Sequence, residues 1–238
     1  MHSFDGKSVL IVGGSSGIGA ATALAFAAAG ARVVIAARNP ERLAAIASQG
    51  ASAIETRVLD MTDAGGVEAF FADGPAYDHV VVSAAQTPTG PVRTLGLEDA
   101  RSAMDSKFWG AYHVARSARI APGGSLTFVS GFLSVRPSRS SVLQGAINAA
   151  LESLARGLAL ELAPVRVNTV SPGLINTSMW DKLPEASRKA MFDGAAQRLP
   201  AGRAGAAEDI AQAILFVAGN GYATGSTVLI DGGGAIAA

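Results

Sequence analysis

The chain has 238 residues, 49% of them hydrophobic and 16% charged, and its 19 basic residues balance its 19 acidic ones. That length accommodates one large α/β domain over residues 1–238, and zero formal charge gives no electrostatic footprint for nucleic acid or an anionic membrane surface. The absence of cysteine excludes disulfides and thiolate metal sites, and three scattered histidines (His2, His79, His113) are too few to suggest a metal cluster.

In chain order, Met1–Lys7 has no cationic start followed by an apolar run, so no signal peptide is expected. Ser8–Val12 is predicted as a strand, Gly17–Ala29 as a helix capped by Gly30, and Arg32–Ala37 as a second strand. Ala20 to Ala37 is apolar enough to raise the question of a membrane span. Gly30, Arg32 and Arg38 interrupt or flank it, and its period changes from helix to strand, so a cytoplasmic protein is expected. Pro40–Ser48 follows as a helix with proline in its first turn. Ala53–Val58 (strand), Asp63–Ala72 (helix), His79–Ser83 (strand) and Leu97–Ile120 (one long helix) come next. Ser125–Ser130, Arg166–Val170 and Thr227–Ile230 are the remaining strands, with helices at Ser141–Leu162 and Ala207–Ala218. The strands are continuous apolar runs, as in a parallel sheet buried on both faces. Strand–helix alternation predicts a doubly wound, seven-stranded Rossmann-type sheet with helices on both faces. Ser171 to Gly205, rich in Pro and Gly, breaks the rhythm; it is expected to be a substrate lid, with Met179 and Trp180 lining the pocket.

Gly13-Gly14-Ser15-Ser16-Gly17-Ile18-Gly19 directly follows the first strand and opens a helix. Glycine allows the tight turn, and the helix N-terminus offers free N–H groups to a pyrophosphate. The second strand ends at Arg38-Asn39 with no acidic residue. An acid there would bind a free ribose 2′-hydroxyl, whereas arginine offers a fork to a 2′-phosphate, so NADP(H) is expected over NAD(H).

From Lys7 to Gly234 the chain resembles the short-chain dehydrogenase/reductase family. The resemblance rests on the glycine motif, Asp60-Met61 after the third strand, and Ser83-Ala84-Ala85 where the family has Asn-Ala-Gly. It rests also on Arg166-Val167-Asn168-Thr169-Val170-Ser171-Pro172-Gly173 and on Ile230-Asp231-Gly232-Gly233. Val12 stands for the usual threonine and Ala85 for the usual glycine. The resemblance implies cofactor contacts from Gly13, Ser15, Ser16, Gly17, Ile18, Gly19, Arg38, Asn39, Asp60, Met61, Ser83, Ala84, Ala85, Asn148, Pro172, Gly173, Ile175 and Thr177. It also implies a small-molecule substrate and a homodimer or homotetramer built on the two longest helices and the last strand.

The family's catalytic tyrosine and lysine, four residues apart, are missing. Aligned on Asn148-Ala149-Ala150-Leu151-Glu152, the chain has Gln144 at the tyrosine position and Asn148 at the lysine position. Gly131 is at the serine position, with Ser130 just before it, and Lys107 is where asparagine is usual. Asparagine and lysine look exchanged between 107 and 148. This favours a rebuilt site with Lys107, Ser130, Gln144 and Asn148 as its working residues, acting on a carbonyl or alcohol. Gln144 has no titratable proton. Tyr112 and His113 lie off the face of Lys107, and Phe108 and Trp109 are expected to pack. Three alternatives remain open at this level: a decayed site with Lys107 solvated, an inactive NADP(H)-binding sensor or partner subunit, and a non-redox enzyme that keeps the cofactor structurally.

Overall fold

The computed structural model describes residues 3–50 and 54–237. The elements are β1 (Ser8–Val12), α1 (Gly17–Ala28), β2 (Arg32–Ala37), α2 (Pro40–Ala47), β3 (Ile54–Val58), α3 (Ala64–Ala72) and β4 (Tyr77–Val82). There follow α4 (Leu97–Met104), one π turn (Asp105–Trp109), α5 (Gly110–Ser117), β5 (Ile120–Val129) and α6 (Val142–Glu161). The chain ends with β6 (Arg166–Pro172), β7 (Ile175–Asn176), α7 (Glu185–Arg198), β8 (Gly205–Ala206), α8 (Ala207–Gly219) and β9 (Thr227–Ile230).

Seven strands form one parallel sheet in the order β3-β2-β1-β4-β5-β6-β9. Alternation along β1 shows why the strand runs are continuously apolar. Val9 and Ile11 point into a core shared with Phe26 of α1 and Ile210 and Ile214 of α8. Leu10 and Val12 point into a second core with Phe71, Val114, Phe128 and Leu151 on the opposite face. With both faces covered, each such side chain contributes about 1.5–3 kcal/mol of apolar burial.

The prediction departs from the structure in three places. Leu97–Ile120 is not one helix: α4 gives way to a π turn closed by the Gly110 amide on the Asp105 carbonyl, α5 stops at Ser117, and Ile120 already belongs to β5, beside Tyr77. Helix-compatible composition across Ala118–Ile120 hid that strand pairing. Ser171–Gly205 is more ordered than its Pro and Gly content suggested, because it completes β6, pairs β7 with β8 and builds the fourteen-residue α7. The strand expected at His79–Ser83 runs instead over Tyr77–Val82. Ala53, at the start of the predicted third strand, lies outside the described residues.

His79, expected to be no metal ligand, sits in the β4 core. Its Nδ1 is 2.9 Å from Ser125 Oγ, and its ring lies against Phe4 and Phe26. Burial, and then the charge of Arg166, pull its pKa from 6.5 down to about 4. The unfolded chain therefore takes up a proton between those values while the folded chain does not, so stability is full above pH 6.5 and is lost as pH falls toward 4. Chemical denaturation should show a loss of about 3 kcal/mol across that window. In His79→Phe the slope should vanish, whatever the cost to the baseline from leaving Ser125 unpaired.

Candidate active site

Strand order reverses between β1 and β4, and a crevice opens at their carboxyl ends. The two loops leaving these strands are bound together: the Ser83 and Ala84 amides donate to the Val12 carbonyl at 2.9 and 3.2 Å. Gly13 has φ +93°, and a Cβ on it would run into the Ala84 amide. A Cβ on Gly19 would strike the Gly13 carbonyl, so the helix sits as close to its strand as backbone allows. Gly17, at φ +52°, faces Thr177. Ser16 makes no side-chain cap, so the first N–H groups of α1 have no capping side chain among the described residues. This shape fits a pyrophosphate held by Gly13–Gly19, and Ser15 and Ile18 lie partly exposed within it. Pro172 closes β6 opposite Ile230, and Gly173 follows so tightly that a Cβ would lie 2.6 Å from Asp231 Cα. Ile175 is buried in the first core.

Beyond β2, a cleft of about 770 Å³ is lined by Arg38, Thr62, Gln86, Arg101, Trp109 and His113, among others. Asp60 Oδ1 accepts the Thr62 amide (3.0 Å) and hydroxyl (2.8 Å). Burial raises its pKa, but the two Thr62 bonds and the charge of Arg38 together hold it below the usual carboxylate value. Asn39 caps α2, its Oδ1 accepting the Arg42 amide at 2.7 Å. Met61 is not at the cleft through its side chain, which is buried against Gly110 in the second core. Trp109 is likewise no core residue; it is half-exposed on the cleft wall.

The four residues singled out for chemistry divide into a buried cluster and an outlying amide. Lys107, carried inward by the π turn, is only 8% exposed. Its Nζ donates to the Ser130 carbonyl and to Asn148 Oδ1, both at 2.7 Å. An ammonium has three N–H groups, so one has no partner among the described residues. Burial lowers its pKa from 10.5 to about 8, with the charge of Glu152 acting the other way. A solvated Lys107 is thereby ruled out.

Gly131, at the serine position, leaves room for the Asn148 amide. A Cβ there would lie 2.8 Å from Asn148 Nδ2, in the space the amide occupies while Oδ1 holds Lys107. Gln144 stands apart and donates through Nε2 to Thr87 Oγ1 at 3.1 Å. Two participants escaped the sequence reading, Thr87 and Glu152. Glu152 Oε1 accepts the hydroxyls of Ser130 (2.8 Å), Ser134 (2.7 Å) and Ser171 (3.4 Å). A signal for Glu152 existed, since it falls four residues after Asn148 on the buried face defined by Ile147, Leu151 and Ala155. Met179 is largely exposed, and Trp180 is fastened by Nε1 to the Ile175 carbonyl at 2.9 Å.

The sequence profile of a family described as enoyl-(acyl carrier protein) reductase matches residues 12–234. Similar proteins include D-erythrulose reductase of Gallus gallus, 32% identical over 97% of this chain and 96% of that one. The 3-oxoacyl-(acyl-carrier-protein) reductase of Thermotoga maritima is also 32% identical, covering 96% and 98%. A small-chain dehydrogenase solved in complex with NADPH superposes with a TM-score of 0.85 at 34% identity, covering 98% of this chain and all of that one. The chain belongs to the short-chain dehydrogenase/reductase family. It is an oxidoreductase of the nicotinamide-dependent kind.

Gly131→Ser should displace the Asn148 amide and strip Lys107 of one of its two acceptors. The expected cost is roughly 1–3 kcal/mol in stability, together with a Lys107–Asn148 separation beyond hydrogen-bonding range in a crystal structure of the variant. Full stability with that contact intact would show that the glycine is incidental.

Proposed function

We propose that the chain is an NADP(H)-dependent reductase of a small carbonyl substrate, working through Lys107, Ser130, Gln144 and Asn148 in place of a tyrosine–lysine pair. The observation that carries this reading is the Lys107 ammonium, buried and held by two oxygens with one N–H left over. A decayed site gives no reason to keep a desolvated charge there.

The cofactor, when bound, supplies the hydride. Gly13–Gly19, with Ser15, Ser16 and Ile18, would hold its pyrophosphate; Asp60, Ser83, Ala84, Ala85, Pro172, Gly173, Ile175 and Thr177 would border the rest. The Gln144 amide would orient the substrate carbonyl. Lys107 would give its proton to the alkoxide oxygen as it forms, with Asn148 Oδ1 and the Ser130 carbonyl fixing Nζ. The preference for a 2′-phosphate rests on Arg38 at the tip of β2, facing the cleft with Arg101; the NADPH complex of the similar dehydrogenase supports it. The segment 171–205 would close over the substrate, and residues 1–238 would act as one domain.

Calorimetry should show NADPH binding more tightly than NADH. Arg38→Ala should remove about 1.5–3 kcal/mol of that preference, roughly one to two decades in affinity. Equal affinities for the two cofactors would sink the assignment.

Purified protein should oxidise NADPH with some member of a broad carbonyl panel. Because the ammonium form is the acid, turnover should fall as pH rises through about 8, and Lys107→Ala should abolish turnover and weaken NADPH binding. No NADPH consumption with any carbonyl would favour the inactive sensor or partner subunit instead.

Self-association is proposed through two surfaces. Leu97, Trp109 and Tyr112 are exposed along α4, the π turn and α5, Leu160 is exposed on α6, and Phe216 of α8 and Leu229 of β9 are exposed at the other end of the sheet. Light scattering at micromolar concentration should return a dimer or tetramer mass, and a monomer would refute it. No helix among the described residues is long and apolar enough to cross a membrane, and among the same residues no group of three His, Cys, Asp or Glu is placed to hold a metal ion.

A further inference from the structure

Glu152 is buried at 7% exposure, one helical turn beyond Asn148, on the face of α6 that meets the ends of β5 and β6. Three hydroxyls from three separate segments converge on its Oε1: Ser130 at the end of β5, Ser134 in the turn that follows, and Ser171 in β6. Hydrogen bonds to a carboxylate are short and strong, so these three fix the position of the group. Among the described residues the other buried polar groups that titrate are Lys107 and His79, and His79 is neutral in the folded chain above its pKa of about 4. Ser130 touches both ends of the cluster, its carbonyl accepting from Lys107 Nζ and its hydroxyl donating to Glu152.

We infer that Glu152 is a positioning residue, the buried counter-anion that keeps Lys107 protonated in the site, and that the three serines fix where this carboxylate sits. The inference deepens the reductase reading, since a proton donor must be charged when the substrate arrives.

The groups around Lys107 leave Glu152 alone in this role. On its own segment, Asp105 lines the cleft. From α5, His113 turns its Nδ1 to the Met61 carbonyl at 3.1 Å. After β5, Arg136 turns its guanidinium to the carbonyls of Ala235 and Ala237 in the tail. β5 brings no charge, and the one charge on β6, Arg166 at its first residue, turns its guanidinium to the carbonyls of Val217, Ala218 and Asn220. Burial acts to deprotonate Lys107, and Glu152 is the single charge opposing it.

The test is a pH titration of the full chain labelled with carbon-13 at the lysine ε-position, without cofactor. The chain has four lysines (Lys7, Lys107, Lys182 and Lys189), so the signal missing in Lys107→Met assigns the one that matters. Glu152→Gln should lower the Lys107 midpoint by about one pH unit or more, and Glu152→Asp, which keeps the charge, should return most of that shift. An unchanged midpoint in a folded Glu152→Gln protein overturns the inference. If Glu152→Gln does not fold, the double variant Lys107→Met with Glu152→Gln removes both charges and should regain a cooperative unfolding transition, because an unpaired buried charge is the destabilising element. A double variant no better than the single one overturns it equally. These readouts involve neither NADPH nor substrate, so a failed carbonyl panel would sink the reductase reading without touching the charge pair.

Discussion

Burying one ammonium group is the constraint around which the site is arranged. Removing a lysine charge from water costs several kcal/mol even after relaxation. The protein meets that cost with the Ser130 carbonyl and Asn148 Oδ1, each at 2.7 Å, and with a carboxylate one helical turn further along α6. These groups come from three parts of the chain. The π turn carries Lys107, the carboxyl end of β5 carries Ser130, and α6 carries both Asn148 and Glu152. A shift of any one element would leave the others with an unpaired buried group.

Steric coupling makes these positions a unit. Asn148 offers Oδ1 to Lys107 with its Nδ2 lying 2.8 Å from where a Cβ on residue 131 would stand, and Gly131 provides that space. The absence of a serine at 131, the asparagine at 148 and the lysine at 107 are therefore three aspects of one packing solution. Ser130 is displaced from the role its neighbour's position suggests. Its hydroxyl faces the carboxylate of Glu152, and its carbonyl contacts the lysine.

The same turn connects the reacting centre to the crevice where strand order reverses. Ser106, in the π turn beside Lys107, accepts the Gln86 amide at 2.7 Å. Gln86 follows Ser83-Ala84-Ala85, of which the Ser83 and Ala84 amides grip the end of β1. The loop at the glycine motif, the loop after β4 and the lysine-bearing turn thus form one hydrogen-bonded chain of contacts. π turns inside α-helices are uncommon and concentrate at functional sites, where they re-aim a side chain; here Lys107 is the side chain brought inward.

The strand and helix order, the parallel sheet and the glycine turn were legible in the sequence because each is governed by local periodicity or by a conformation only glycine adopts easily. Arg38 could be placed on the cleft for the same reason, since the end of a strand fixes where its next residue emerges. Only the tertiary structure determined that Leu97–Ile120 divides around a π turn, that Met61 packs inward while Trp109 faces the cleft, and that Glu152 joins the cluster. Nor could spacing alone show that Lys107 and Asn148 bond across 41 residues of chain, or that Gly131 leaves room for the amide. A side chain's neighbours across a sheet depend on how elements pack, and a buried charge is distinguishable from a solvated one only by what surrounds it.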